Sequence, residues 1–144
     1  MTKKYGFVLL FIIFMSLTYV CENMNNSIEI VYNVQNSDRS VVHKEKYNLK
    51  KVKLREVDSS AFSHVGYYKG HMVVVFRNEP NRCYIYCDFN KDEYERFITS
   101  ESLGKYYNNH IKGNYTVFRV DGIEISDSNI DYDTVSTQIT NIAE

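Results

Sequence analysis

Tyr84 and Tyr86 stand two residues apart in the run Cys83-Tyr84-Ile85-Tyr86-Cys87. In a strand that spacing sends both rings out of one face, about 7 Å apart. Rings so placed make a platform on which successive nucleic-acid bases stack, given cations nearby for the backbone. The competing reading packs them beneath helices, against Phe97 or Tyr107, with only the hydroxyls reaching water. A central strand beside two helices needs large apolar cover, so burial is the preferred reading. Cations are present in the cluster Lys44, Lys46, Lys50, Lys51, Lys53 and Arg55, which suits a polyanion or an anionic membrane surface, although a charge run of this kind is more often an ordinary solvated face. The formal net charge of -1 gives no global pull on phosphates, and without Lys3 and Lys4 the remaining 15 basic residues face 18 acidic ones.

Other chemistry-bearing residues are spaced wrongly for catalysis or metal binding. Cys83 and Cys87 share a strand face, but four steps separate them by about 13 Å, beyond disulfide reach and beyond one shared metal ion. They read as buried apolar thiols. His43, His64, His71 and His110 lack H-E-x-x-H or C-x2-C companions. Asp58-Ser59-Ser60 near His64 holds the residue types of a hydrolytic triad, yet a nucleophile needs a positioned base and oxyanion donors, and these residues carry turn chemistry. No glycine-rich phosphate loop appears. The expectation is a protein that is not an enzyme, with no cofactor and no metal.

The elements that would position these residues follow from periodicity. With 13 Tyr, 8 Phe and no Trp among 144 residues, the chain is rich in rings that favour half-buried sheet surfaces, and its length allows one domain. Ile28, Ile30 and Tyr32 alternate with Glu29, Val31 and Asn33 in a strand that ends near Asn36-Ser37-Asp38, and Val52 and Leu54 interleave with Lys51, Lys53 and Arg55. After the Asp58-Ser59-Ser60 turn, His64–Tyr68 resumes as a strand that Gly70 turns into Met72–Phe76. The cluster Asn78-Glu79-Pro80-Asn81 then leads into Arg82–Phe89. Asn90 with Glu93 three residues on resembles a capping box, and Tyr94, Phe97 and Ile98 continue a helix to about Ser100. A second helix begins near Ser102, with Leu103, Tyr107 and Ile111 on one face and Gly113 as its stop. Asn114–Val120 adds a last strand. Asp121–Glu144 holds six acidic residues and no Lys or Arg, which reads as a solvated and disordered tail.

The N-terminus sets the expected compartment. Lys3 and Lys4 precede the unbroken apolar run Phe7–Met15, extended by Leu17, Tyr19 and Val20 to Cys21. From Gly6 to Cys21 the segment is shorter than the roughly 20 residues of a straight transmembrane helix, which favours a signal peptide over a permanent span. No A-x-A-like pair of small residues stands near Cys21, so an uncleaved anchor stays open. Cys21 lies where a bacterial lipoprotein places its lipidated cysteine, although Thr18-Tyr19-Val20 departs from the small-residue pattern of that signal.

Val57-Asp58-Ser59-Ser60, Val65-Gly66-Tyr67 and Tyr84-Ile85-Tyr86 come in this order along the chain. They are followed by Ser102-Leu103-Gly104-Lys105-Tyr106-Tyr107-Asn108 and then Ile111-Lys112-Gly113-Asn114-Tyr115. Together they resemble the KTSC domain, a short module named for its place at the C-terminus of some lysyl-tRNA synthetases. The resemblance covers roughly two fifths of the chain. It implies no established activity; RNA binding is suggested for the family largely through the synthetase connection, and an export segment argues against that role here.

The expected fold is therefore α+β, a small antiparallel β-meander of three or more strands followed by two short helices packed on one face. Residues 1–21 are a signal peptide or anchor, 22–56 an N-terminal extension with one or two strands, 57–120 the KTSC-like domain and 121–144 the acidic tail. The expected function is a non-enzymatic binding module in the cell envelope or outside it. Its partner is an unknown protein or envelope component, and its membrane contact is the N-terminal segment. Tyr84, Tyr86, Lys105, Tyr106, Tyr107 and Lys112 make the contacts, with Gly104 and Gly113 as conformationally special positions. The alternative is RNA or single-stranded nucleic-acid binding through the Tyr-x-Tyr strand and the basic strand.

Overall fold

The computed structural model describes residues 27–36, 39–132 and 138–142. The apolar run Phe7–Met15 and Cys21 lie outside them, and among the described residues no helix is long and apolar enough to cross a membrane. A hairpin of β1 (Ile28–Asn36) and β2 (Arg39–Tyr47) comes first, then a single 3-10 turn at Leu49–Lys51 and the short β3 (Leu54–Glu56). β4 (Phe62–Tyr68), β5 (His71–Phe76) and β6 (Arg82–Tyr86) follow as a meander. Two short helices come next, α1 (Lys91–Thr99) and α2 (Leu103–Tyr106), the latter running into a π turn at Tyr107–Ile111. β7 (Val117–Asp121), the hairpin β8 (Ile123–Ser126) and β9 (Asn129–Tyr132), and β10 (Gln138–Ile142) complete the order. The fold is α+β, an antiparallel meander followed by helices.

Local chemistry explains these boundaries. Lys69 and Gly70, the two residues between β4 and β5, both take positive φ, at 48° and 78°. That is the backbone of a type I′ turn, whose twist matches the strands it joins. β6 stops at Tyr86 rather than reaching Phe89, because Asp88 enters the left-handed region at φ 50°. Cys87 N–H then donates to the Thr116 carbonyl and Phe89 N–H to the Gly70 carbonyl. Asn90 caps α1, its side-chain oxygen accepting from the Asp92 N–H at 2.7 Å. The Ser102 hydroxyl accepts from the Lys105 N–H at the start of α2.

One antiparallel sheet runs through the molecule in the order β10-β7-β6-β5-β4-β3. The chain thus returns after the helices to lay β7 beside β6, with Tyr84 opposite Arg119 and Tyr86 opposite Val117. Strand alternation splits the core in two. On one face Phe62, Val65, Met72, Val74, Tyr86 and Val117 pack under α1 and α2 through Phe97, Leu103 and Ile111. On the other, Val73, Val75, Cys83, Ile85, Phe118 and Val120 meet Ile28, Ile30, Tyr47 and Leu49 from the N-terminal side and Ile123, Ile130 and Tyr132 from β8 and β9. Glu45 of β2 ties its hairpin to the sheet through the buried His71, at 3.0 Å from Nε2.

The helices cover one sheet face, as expected, and the extension at 28–54 packs on the other, where Val73, Val75 and Ile85 need burial. One expectation is corrected. The supposed acidic tail folds at 123–132, where Ile123, Ile130 and Tyr132 are buried. Its acidic residues Glu124, Asp127 and Asp131 are exposed. The hairpin turns at Asp127-Ser128, both with positive φ.

Candidate functional site

The helix-side sheet face is not fully covered at its lower corner. A cleft of about 410 Å³ opens there, lined by Phe76, Glu79, Tyr84, Tyr86, Tyr107 and Lys112, with Asn78, Val117 and Ile142 completing the wall. Strand register brings Phe76 of β5, Tyr84 and Tyr86 of β6 and Val117 of β7 to one face, since alternate residues share a side. The turn after β5 delivers Asn78 and Glu79. The π turn carries Tyr107 across the top, its carbonyl accepting from the Lys112 N–H at 2.9 Å, five residues on. Such wide turns recur at functional sites.

The floor is a set of rings locked edge to face. Tyr86 is only 1% exposed, and its hydroxyl lies 2.9 Å from that of Tyr107, the rings crossing at 89°. Tyr107 also meets Phe76 and Phe62 edge-on, and Phe76 meets Tyr84 in the same way. These are the favoured aromatic geometries. An open Tyr84–Tyr86 stacking platform is thereby corrected: Tyr86 sits under Tyr107, and a base cannot reach its face. Tyr84 remains half-buried at the rim.

Charge is arranged along the sheet beside the cleft. The Tyr84 hydroxyl donates to Glu79 Oε2 at 2.6 Å, and Glu79 Oε1 accepts from Arg82 at 2.7 Å. Arg82 also donates to Asp121, which in turn accepts from Arg119 at 2.9 Å. Burial and the adjacent Glu79 carboxylate push the Tyr84 phenol up. Partial burial opposes ionisation of Asp121, but the bonds from Arg82 and Arg119 outweigh it and hold its carboxyl below the usual range. The cleft thus offers an apolar aromatic floor, one committed carboxylate and the exposed Lys112 at its edge.

The other expected site residues fall elsewhere. Lys105 is exposed, outside the cleft lining. The Tyr106 hydroxyl donates to Glu93 at 2.9 Å and its ring lies 4.5 Å from that of His110. Glu93 is held below the usual carboxylate range chiefly by Arg96. Gly104 has ordinary helical backbone, whereas Gly113 takes φ 78° and stops the π turn as expected. The basic cluster is partly neutralised, Lys44 pairing with Glu29 and Lys50 with Asp131.

Cys83 and Cys87 are buried free thiols; burial pushes Cys83 well above the usual range and Cys87 up to about 12. The Ser59 hydroxyl accepts from the Ala61 and Phe62 N–H groups, which makes it a turn residue. Phe76, Asn78, Glu79, Val117 and Ile142 are the cleft residues that sequence reasoning missed. For Glu79 a signal existed, an acid inside a turn next to Arg82; for Ile142 none did, because its place depends on long-range register.

Among known families, the KTSC domain matches residues 58–115. No curated protein matches the chain. The matched segment runs from the turn before β4 through the π turn to Tyr115 and supplies every cleft residue except Val117 and Ile142. The segment that matches the KTSC domain, residues 58–115, is set in a larger sheet built from both its flanks.

Proposed function

We propose that this protein is a non-enzymatic binding module, exported or membrane-tethered through its N-terminal segment, that takes its ligand in the cleft between β6 and the π turn. One observation carries the reading: sheet register and the π turn bring Tyr84, Tyr86, Tyr107 and Lys112 around a single open cleft of about 410 Å³. Apolar clefts with a few convergent polar groups are the usual form of a ligand site. Tyr107 and Tyr84 offer ring surface, Lys112 a cation at the mouth, and Tyr86 the floor beneath them.

Titration of the full-length chain with indole, followed by amide NMR, tests this. Shifts centred on Tyr84, Tyr107 and Lys112 that vanish in Tyr107→Ala are expected; shifts scattered elsewhere, or none, would reject the cleft. Nucleic-acid binding is the second reading, favoured by the exposed Lys46, Lys51 and Arg55. It requires affinity for an oligothymidylate that falls steeply with salt. Fractionation in a bacterial host separates the compartments. A chain shortened near Thr18–Glu22, or lipidated at Cys21, in the envelope supports the first reading. An intact chain with its folded part in the cytoplasm supports the second.

A further inference from the structure

The outermost strand, β10, is held differently from the others. Its residues pair with β7 from Gln138 opposite Asp121 to Ile142 opposite Val117. Yet Gln138, Ile139, Thr140 and Asn141 are exposed, Ile142 is only half-buried, and none of them belongs to either hydrophobic core. β7 by contrast buries Val117, Phe118 and Val120. The main-chain ladder therefore carries the attachment of β10. The net gain from such bonds is of the same order as the entropy lost in ordering the segment. A strand held in this way is exchangeable, and its departure bares a row of unpaired backbone groups on β7.

Directly opposed residues share a sheet face. Ile142 thus points to the cleft side with Val117, Thr140 lies opposite Arg119, and Gln138 opposite Asp121. Ile142 lines the cleft, but the cleft remains open at about 410 Å³ with that side chain in place. An anchor larger than isoleucine, entering at the same register position, would fill space Ile142 leaves empty against Phe76 and Tyr107.

From these observations we infer that the outer edge of β7 is a strand-addition site. Its partner is an extended peptide running antiparallel to β7, with a bulky aromatic side chain at the place of Ile142. Gln138–Ile142 is the chain's own weaker occupant of the same edge. Ladder bonds supply sequence-independent affinity, and the anchor in the cleft supplies specificity, as in other strand-addition complexes. The inference rests on the cleft reading for its anchor and adds the class of ligand.

The test uses the full-length chain and a fluorescent peptide of residues 136–144 with phenylalanine at the Ile142 position. Three control peptides accompany it: one with alanine there, one scrambled, and one with proline at the places of Ile139 and Thr140. One of two adjacent residues must donate toward β7, so the proline peptide loses at least one ladder bond. Two variants weaken the self-occupant independently, Thr140→Pro with Asn141→Pro, and Ile142→Asp alone. The phenylalanine peptide is expected to bind either variant at least tenfold more tightly than the parent chain, and at least tenfold more tightly than the alanine peptide binds. Amide shifts should run from Val117 to Asp121.

Equal binding of the phenylalanine and proline peptides overturns strand addition, and so do unmoved β7 amides. Equal binding of the phenylalanine and alanine peptides overturns the anchor. A dimer formed by exchange of β10 between copies, with no peptide uptake, also overturns the inference. Indole shifts at Tyr107 that persist in any of these cases leave the cleft standing, so the two failures are distinguishable.

Discussion

Replacing Gly66 by alanine sets two opposed effects on one position. In a strand interior alanine ordinarily gains about 0.5–1 kcal/mol over glycine, because the unfolded chain loses freedom. Here Gly66 pairs with Leu54 of β3, and a Cβ would lie 2.7 Å from Val52 Cγ1, 2.9 Å from the Lys53 carbonyl oxygen and 3.1 Å from Leu54 Cδ2. Val52 could rotate away, but the carbonyl is main chain. It is fixed from the far side, where Lys53 bridges Asn129 and the Leu54 N–H donates to the Ser128 carbonyl at 2.9 Å. Relief requires β3 to move together with the β8–β9 hairpin. Overpacking costs about 1–3 kcal/mol, and against a fixed main-chain atom the upper part of that range applies, about 2–3 kcal/mol, so the net loss is about 1–2.5 kcal/mol, a fall in Tm of roughly 5 °C. Gly104→Ala is the control, since its Cβ meets only Ala61 Cβ at 3.8 Å and sits in a helix, where alanine gains up to about 1 kcal/mol. Urea unfolding followed by circular dichroism measures both. A Gly66→Ala chain as stable as the parent would refute the argument that close approach of β3 selects glycine there.

Tyr86→Phe removes the bond to the Tyr107 hydroxyl from the cleft floor; a loss of about 1 kcal/mol in urea unfolding is expected, and no loss would show that the bond contributes nothing. Cys83 and Cys87, 0% and 2% exposed with raised pKa values, should react with iodoacetamide only as fast as the chain unfolds, and rapid alkylation of the native protein by mass would contradict their burial. Asp121 has a folded-state pKa below its unfolded value, so its contribution is full above about pH 4 and is lost as pH falls through the depressed value. Asp121→Asn should therefore lower the urea midpoint at pH 7 but bring the variant close to the parent near pH 2, and a deficit that persists undiminished there would count against the Arg82–Asp121–Arg119 network.

Much of the fold was legible because local chemistry and tertiary burial agree. Met72–Phe76 and Arg82–Tyr86 alternate as strands, Asn90 and Ser102 cap their helices, and Gly113 ends the π turn where the helical face of Leu103, Tyr107 and Ile111 runs out. Burial of Tyr86 against Tyr107 followed from the demand of a central strand for apolar cover. The hairpin at 123–132 was not read although its signal is present: Ile123 and Ile125 alternate with Glu124 and Ser126, and Ile130 and Tyr132 flank Asp131. The net acidity of the segment masks that alternation, while in the molecule Glu124, Asp127 and Asp131 stay on the exposed side and cost the core nothing. Its Asp127-Ser128 turn is also a weaker I′ signal than a glycine-containing pair. Val117 and Ile142 reach the cleft only through register between segments far apart in sequence, and no local pattern carries that.

The two cores divide unequally between the KTSC segment and its flanks, and this bears on how the site is built. Within residues 58–115 the helix-side core is nearly complete, from Phe62 and Met72 to Phe97 and Ile111. The same segment presents Val73, Val75, Cys83, Ile85 and Cys87 on its opposite face, and apart from Tyr68 the residues that pack with them come from outside it, among them Ile28, Ile30, Tyr47 and Leu49 on one flank and Phe118, Val120, Ile123 and Ile130 on the other. Burying a valine or isoleucine side chain contributes about 1.5–3 kcal/mol, so leaving this face bare would forfeit an amount comparable to the whole stability of a small domain, about 5–15 kcal/mol. The flanks are thus a structural condition for the matched segment in this chain. They also extend the sheet past β6, and only through that extension do Val117 and Ile142 come to wall the cleft. The aromatic floor belongs to the family segment, and the edge that governs access to it belongs to the flank.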